Sequence, residues 1–172
     1  ERWPDRRHLP IEPYQKVGKI APSVGKSDPI DWPKEIAAPV GAPNVLLVMM
    51  DDVGFGASST FGGPVPTPTF DRVASEGLRY NNFHTTALCS PSRATIMAGR
   101  NHHRMGTGSI PELSTGYPGY NAIMTKDNAT IGRILKDHGY VTSWFGKNHN
   151  TPDLQVSKIG PYDQWPTGLG FD

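Results

Sequence analysis

The stretch Asn44-Val45-Leu46-Leu47-Val48-Met49-Met50-Asp51-Asp52-Val53-Gly54-Phe55-Gly56 passes from an unbroken apolar run to paired carboxylates and then to glycines. An apolar run with no polar face fits a strand buried on both sides, as in a parallel sheet covered by helices. In open α/β sheets, chemistry collects in the loops at the carboxyl ends of strands, so Asp51 and Asp52 stand at the first candidate site. Adjacent carboxylates repel each other and lose solvation unless a cation or basic groups compensate. A hard divalent ion, Ca²⁺ or Mg²⁺, would do so with oxygen ligands. An Asp-rich turn ahead of Gly54 and Gly56 would use the same residues without a metal.

Downstream of that stretch the pattern changes to helices. Thr67 is a predicted N-cap with Pro68 at the first helical position, and Phe70, Val73, Ala74 and Leu78 follow at roughly helical spacing up to a stop at Gly77. A second helix is predicted from Ser90-Pro91 to Ala98, with Ser90 as N-cap and Gly99 as terminator. A third spans about Asn128 to His138, with Ile131, Ile134 and Leu135 on one face and Gly139 as cap. Tyr140 to Phe145 reads as another strand, ending at Gly146-Lys147-Asn148-His149. The order strand, helix, helix, helix, strand predicts an α/β layer structure.

Upstream, residues 1–43 hold eight of the chain's 17 prolines, with Trp3, Tyr14 and Trp32 as their large apolar anchors. Proline fixes φ and removes a donor, so this part is expected to be an extended arm, and residues 44–172 the body.

Two further constellations carry chemistry. In Cys89-Ser90-Pro91-Ser92-Arg93, the cysteine lies at or just before a helix N-terminus, where free N–H groups favour an anion. Arg93 in the first turn runs against the helix dipole and calls for a negative partner, for which its guanidinium offers a fork of donors. The plainer reading of Cys89 is a small buried apolar side chain. Lys147 and His149, two apart, would point to one side of an extended strand end and present an ammonium and an imidazole to one anion. A solvated loop is the alternative. His84 and the pair His102-His103 read more readily as structural histidines than as site residues. Asn128-Ala129-Thr130 matches a glycosylation acceptor.

Bulk properties exclude more than they assign. The net charge of +1, with no block of either sign, gives no support to a nucleic-acid partner. No apolar run reaches the length of a membrane span. One cysteine allows no internal disulfide, and the compartment stays open between periplasm and cytoplasm.

Taken together, these residues resemble the sulfatase family of the alkaline-phosphatase-like superfamily, and among its members the bacterial arylsulfatases. Cys89-Ser90-Pro91-Ser92-Arg93 matches the family's C-x-P-x-R signature, continued by Ala94-Thr95-Ile96-Met97-Ala98-Gly99-Arg100. Asn44 to Gly56 resembles its first strand and Asp pair. Pro66-Thr67-Pro68-Thr69-Phe70-Asp71-Arg72 and Gly77-Leu78-Arg79-Tyr80 resemble the segment between, and Gly146-Lys147-Asn148-His149 its Gly-Lys-x-His motif.

The resemblance implies a mostly parallel sheet sandwiched by helices, incomplete in this chain. It implies that Cys89 is converted to formylglycine by the formylglycine-generating enzyme, which would read Pro91 and Arg93. Asp51, Asp52 and the modified Cys89 would then be ligands of Ca²⁺ (Mg²⁺ less so). Arg93 would hold the hydrated aldehyde and screen the carboxylates. Lys147 would bridge nucleophile and sulfate, and His149 would accept the diol proton. The implied substrate is a small sulfate monoester, with aryl sulfates foremost. A phosphonate or phosphate ester hydrolase with the same nucleophile, or a non-catalytic scaffold, is the competing expectation. The family's later Asp-Asn pair, second His and second sulfate-binding Lys have no counterpart here. The 172 residues are therefore expected to be the amino-terminal part of a sulfatase, inactive and poorly folded when alone.

Overall fold

A computed structural model describes residues 13, 15–29, 32 and 36–172. Helix α1 spans Pro68–Glu76, α2 spans Cys89–Ala98 and α3 spans Ile131–Asp137, with short 3-10 turns between them.

Helix α1 starts after Thr67 with Pro68 at its first position, as its sequence predicts. The Thr67 hydroxyl does not cap the helix. It lies 2.6 Å from Ser58 Oγ and 3.0 Å from Ser59 Oγ, while Ser59 and Thr60 donate to the two oxygens of Asp71 at 2.8 and 2.7 Å. The first turn of α1 is thereby tied to the 3-10 turn Ser59–Phe61.

Helix α2 begins two residues earlier than expected: Leu88 is the N-cap in place of Ser90, and Cys89 is the first helical residue. Ser90 and Pro91 fall inside the first turn, where a missing N–H leaves no hydrogen bond unmade. Gly99, at φ 62, closes the helix by donating its N–H to Thr95 O at 2.8 Å. Helix α3 starts later than expected, because Asn128 is otherwise engaged. Its buried amide donates to Arg104 O at 3.2 Å and to Thr125 Oγ1 at 3.0 Å. Thr130 is the N-cap, accepting the Arg133 N–H at 3.1 Å. The glycosylation acceptor pattern is thus a helix-capping segment whose asparagine faces inward. At the other end His138 is the C-cap and Gly139, at φ 83, follows it.

The buried core is small and gathers around α2: Ala94, Met97, Met105, Met124 and Phe171, with Ala98, Trp144 and Leu169 packed at its edge. Trp144 meets Phe171 edge-on, with ring centroids 5.2 Å apart. Gly132 lets α3 approach that ring; a Cβ there would come within 2.7 Å of Phe171. Gln164 brackets Met124, accepting its N–H at 2.9 Å and donating to its carbonyl at 3.1 Å.

The expected sheet is absent among the described residues. Neither Val45–Met50 nor Tyr140–Phe145 forms a ladder, and the only β-pairing there is an isolated parallel bridge between Ser58 and Val65. A central parallel strand needs neighbours on both edges and helices on both faces. Here Val45, Leu46, Leu47, Val48 and Met50 are exposed, with Leu46 at 88%. In Tyr140–Phe145 the alternation survives without the pairing: Thr142 is buried and Trp144 half-buried, while Val141 and Phe145 face outward. The apolar faces of α1 and α3 share this condition, since Val73, Ile131 and Ile134 are exposed, as is Leu78 just past the end of α1.

Of the arm's expected anchors, Trp3 and Tyr14 lie outside the described residues and Trp32 is exposed. Ala38 donates its N–H to Gly139 O at 3.3 Å, bringing the segment just before Asn44 against the end of α3. Among the described residues no helix is long and apolar enough to cross a membrane.

Candidate active site

The N-terminus of α2 is held by buried residues on every position of its first turn after Cys89. Ser90, Pro91, Ser92 and Arg93 are all buried, and Cys89 itself is partly exposed at the helix entrance. Asn150, fully buried, donates to Ser90 O at 3.0 Å and so fastens the Gly146–His149 loop to that turn.

Five of the six residues singled out from the sequence converge here. Arg93 donates through one terminal nitrogen to Lys147 O at 2.7 Å and through the other to Asp51 Oδ1 at 3.0 Å. Lys147 Nζ donates to Asp51 Oδ2 at 2.8 Å. Cys89 Sγ lies 3.0 Å from His149 Nδ1. Asp52 is the residue set apart. It is exposed, at φ 52 in the left-handed region that Asp tolerates better than most residues.

Lys147 and His149 meet at one site for a different reason from the one expected. Gly146 is at φ 82 and His149 at φ 53, so the backbone coils instead of continuing an extended strand. Lys147 turns to Asp51 while His149 turns to Cys89. A non-glycine residue in this conformation is uncommon, and the buried Asn150 next to it secures the turn.

Charge compensation at Asp51 comes from basic groups. Hydrogen bonds from Lys147 and then Arg93 hold the Asp51 carboxyl below its ordinary value, and the Asp51 carboxylate in turn raises the Lys147 ammonium. Arg93 is buried, and its Nε has no partner among the described residues.

Glu112 belongs to this site and carried no signal in the sequence. It stands on the 3-10 turn Pro111–Leu113, whose Pro111 is buried, and its Oε1 lies 2.7 Å from His149 Nε2. That hydrogen bond is the main cause that holds the Glu112 carboxyl below its ordinary value. The two residues are 37 positions apart, with no repeat or motif between them. Asn150 was also missed, although it directly follows the Gly-Lys-x-His run, which is the signal that could have pointed to it. Of the other histidines singled out from the sequence, His84 pairs with Asn82 at 2.8 Å and His103 with Tyr120 Oη at 2.9 Å.

For a divalent cation the donor set fits in kind and not in number. Asp51 and Asp52 offer the carboxylate oxygens a hard ion prefers. Both oxygens of Asp51 are already engaged, and no group of three or more His, Cys, Asp or Glu side chains gathers among the described residues.

The cysteine at a helix N-terminus, with Arg93, Asp51, Lys147 and His149 around it, lies within a segment shared with known proteins. The sequence model of the family described as Sulfatase matches residues 43–172. The chain belongs to the sulfatase family. Its family implies the alkaline-phosphatase-like α/β fold, of which the described residues form helices and almost no strand. Among curated sulfatases, an uncharacterized one from Schizosaccharomyces pombe is 38% identical over 127 residues, covering 69% of this chain and 23% of its own. The arylsulfatase of Klebsiella aerogenes is 32% identical over 115 residues, covering 66% and 25%. The N-acetylgalactosamine-6-sulfatase of Homo sapiens is 35% identical over 137 residues, covering 72% and 25%. The chain thus spans about a quarter of the length of these relatives.

Proposed function

We propose that this chain carries the nucleophile half of an enzyme that hydrolyses sulfate monoesters. The observation that supports this best is the 3.0 Å approach of Cys89 Sγ to His149 at the entrance of α2, with the Arg93–Asp51–Lys147 network alongside. A helix N-terminus, a buried guanidinium and an ammonium together favour a tetrahedral anion.

Cys89 acts as formylglycine, and its Sγ stands in for an oxygen of the hydrated aldehyde. A hydroxyl nucleophile alone would be left as a stable sulfate ester. A geminal diol has a second hydroxyl, whose deprotonation expels sulfate and restores the aldehyde. His149, with Nδ1 toward that position, is the base for this proton. Arg93 fixes Asp51 and Lys147 relative to the helix, and Lys147 reaches toward the sulfate once its carboxylate partner is shared. Asp51 and Asp52 would contribute oxygen ligands to Ca²⁺, which supplies charge that polarises the sulfate. Further ligands are needed to complete such a shell.

Aryl sulfates are the proposed substrate class, and the formylglycine-generating enzyme the proposed maturation partner. Parallel assays of an aryl sulfate and an aryl phosphonate on the intact enzyme test the reading. Faster turnover of the sulfate supports it; turnover of the phosphonate alone overturns it.

A further inference from the structure

The hydrogen-bond chain does not stop at His149. It runs from Cys89 Sγ to His149 Nδ1 at 3.0 Å, and from His149 Nε2 to Glu112 Oε1 at 2.7 Å. We propose that Glu112 is a positioning residue that fixes which nitrogen of His149 faces the nucleophile. This role rests on the sulfatase function and extends its site by one residue.

An ionised carboxylate only accepts hydrogen bonds. Glu112 is kept ionised by its bond to His149, so Nε2 of the ring must carry a proton to make that bond. In the neutral ring the lone pair then lies on Nδ1, the nitrogen turned toward position 89. Without Glu112 the opposite tautomer becomes available, and it presents an N–H to the nucleophile where a base is required. The ring would also lose its second anchor, leaving rotation about the side-chain bonds opposed only by the contact with residue 89.

The scaffold suits such a role. Buried Pro111 seats the turn that bears Glu112. His149 is held at φ 53, and the fully buried Asn150 fastens its loop to Ser90 O. Base and carboxylate thus come from separate, independently anchored segments. The Glu112 carboxylate is half exposed, while the His149 side chain is 20% exposed, so the bond is partly shielded from water.

The test uses the intact, converted enzyme with an aryl sulfate. Glu112→Ala and Glu112→Gln should lower kcat about ten- to a hundredfold with little change in KM, the scale seen when a metal-bound histidine loses the carboxylate that orients its ring. Glu112→Asp should recover part of the loss. In a His149→Ala background, Glu112→Ala should cost less than about twofold, since its effect runs through the ring. Full kcat in Glu112→Ala would overturn the proposal. So would an undiminished loss in the His149→Ala background, which would mark a merely structural role. If the unsubstituted enzyme fails to hydrolyse the sulfate, it is the sulfatase reading that fails. ¹⁵N shifts of His149 give a readout independent of rate. The Nε2–H tautomer is expected in the unsubstituted enzyme and a mixture in Glu112→Ala; the same tautomer in both would overturn the proposal.

Discussion

Helix α2 and the run Val45–Met50 meet at the same salt-bridged site, Arg93 from one and Asp51 from the end of the other. Around α2, Ser90 to Ala94 and Met97 are buried, Met97 to 2% exposure. Along the apolar run, Leu46 is 88% exposed and its neighbours are exposed as well. The difference lies in what each element needs. A helix satisfies its own backbone and needs only side-chain contacts to be seated, here from Met105, Met124 and Phe171. A central parallel strand satisfies nothing alone; its hydrogen bonds and both of its faces wait on partners far away in sequence. The Cys89 side of the candidate site therefore rests on side-chain packing, while Asp51 is held by its two salt bridges.

Chemistry separates the two regions most sharply. Replacing Cys89 by Ala in the intact enzyme should reduce sulfate ester hydrolysis at least about 10⁴-fold, the scale of losing a covalent nucleophile. The far-ultraviolet circular dichroism should stay unchanged, because Cys89 lies at the partly exposed helix entrance. Residual activity within about tenfold of normal would remove Cys89 from the centre of the site.

Stability gives the next contrast. In urea unfolding of the 172-residue chain, Met97→Ala should cost about 2–4 kcal/mol through the cavity it leaves. Leu46→Ser should change stability by no more than about 0.5 kcal/mol, as a substitution on an exposed segment. Equal costs at the two positions would show the apolar run to be packed, and the contrast would collapse.

The smallest effect is that of pH on the Arg93–Asp51–Lys147 network. Asp51 is depressed from 3.8, so its contribution is present above that value and fades as pH falls through the lower folded one. Lys147 is raised from 10.5, so its contribution is present below that value and fades as pH rises through the higher folded one. The difference in urea midpoint between the native chain and Asp51→Asn should be flat between these limits and shrink on the acid side. Both partners are partly exposed, so added salt should also reduce it. A difference that grows toward acid would contradict the pairing.

Much of the site was legible because its chemistry is written in contiguous residues. Cys89 and Arg93 share one helical turn, and Lys147 and His149 share one loop, so their types and spacing carry the information. Glu112 was illegible because a lone glutamate in a Pro-, Gly- and Ser-rich segment looks the same whether or not a histidine lies 2.7 Å away. The helices were readable through their punctuation, Pro68 at the start of α1, Gly99 as the C-cap of α2 and Gly139 just past α3, with two starts displaced by two or three residues where Leu88 and Thr130 are the N-caps. The sheet was not readable in the same sense. Apolar character in Val45–Met50 records a demand for burial, and the described residues do not meet it.

The most direct measurement is mass spectrometry of the peptide containing Cys89, taken from an active preparation of the intact enzyme. A formylglycine nucleophile predicts an aldehyde in place of the thiol at position 89. An unmodified cysteine in a fully active preparation would contradict it.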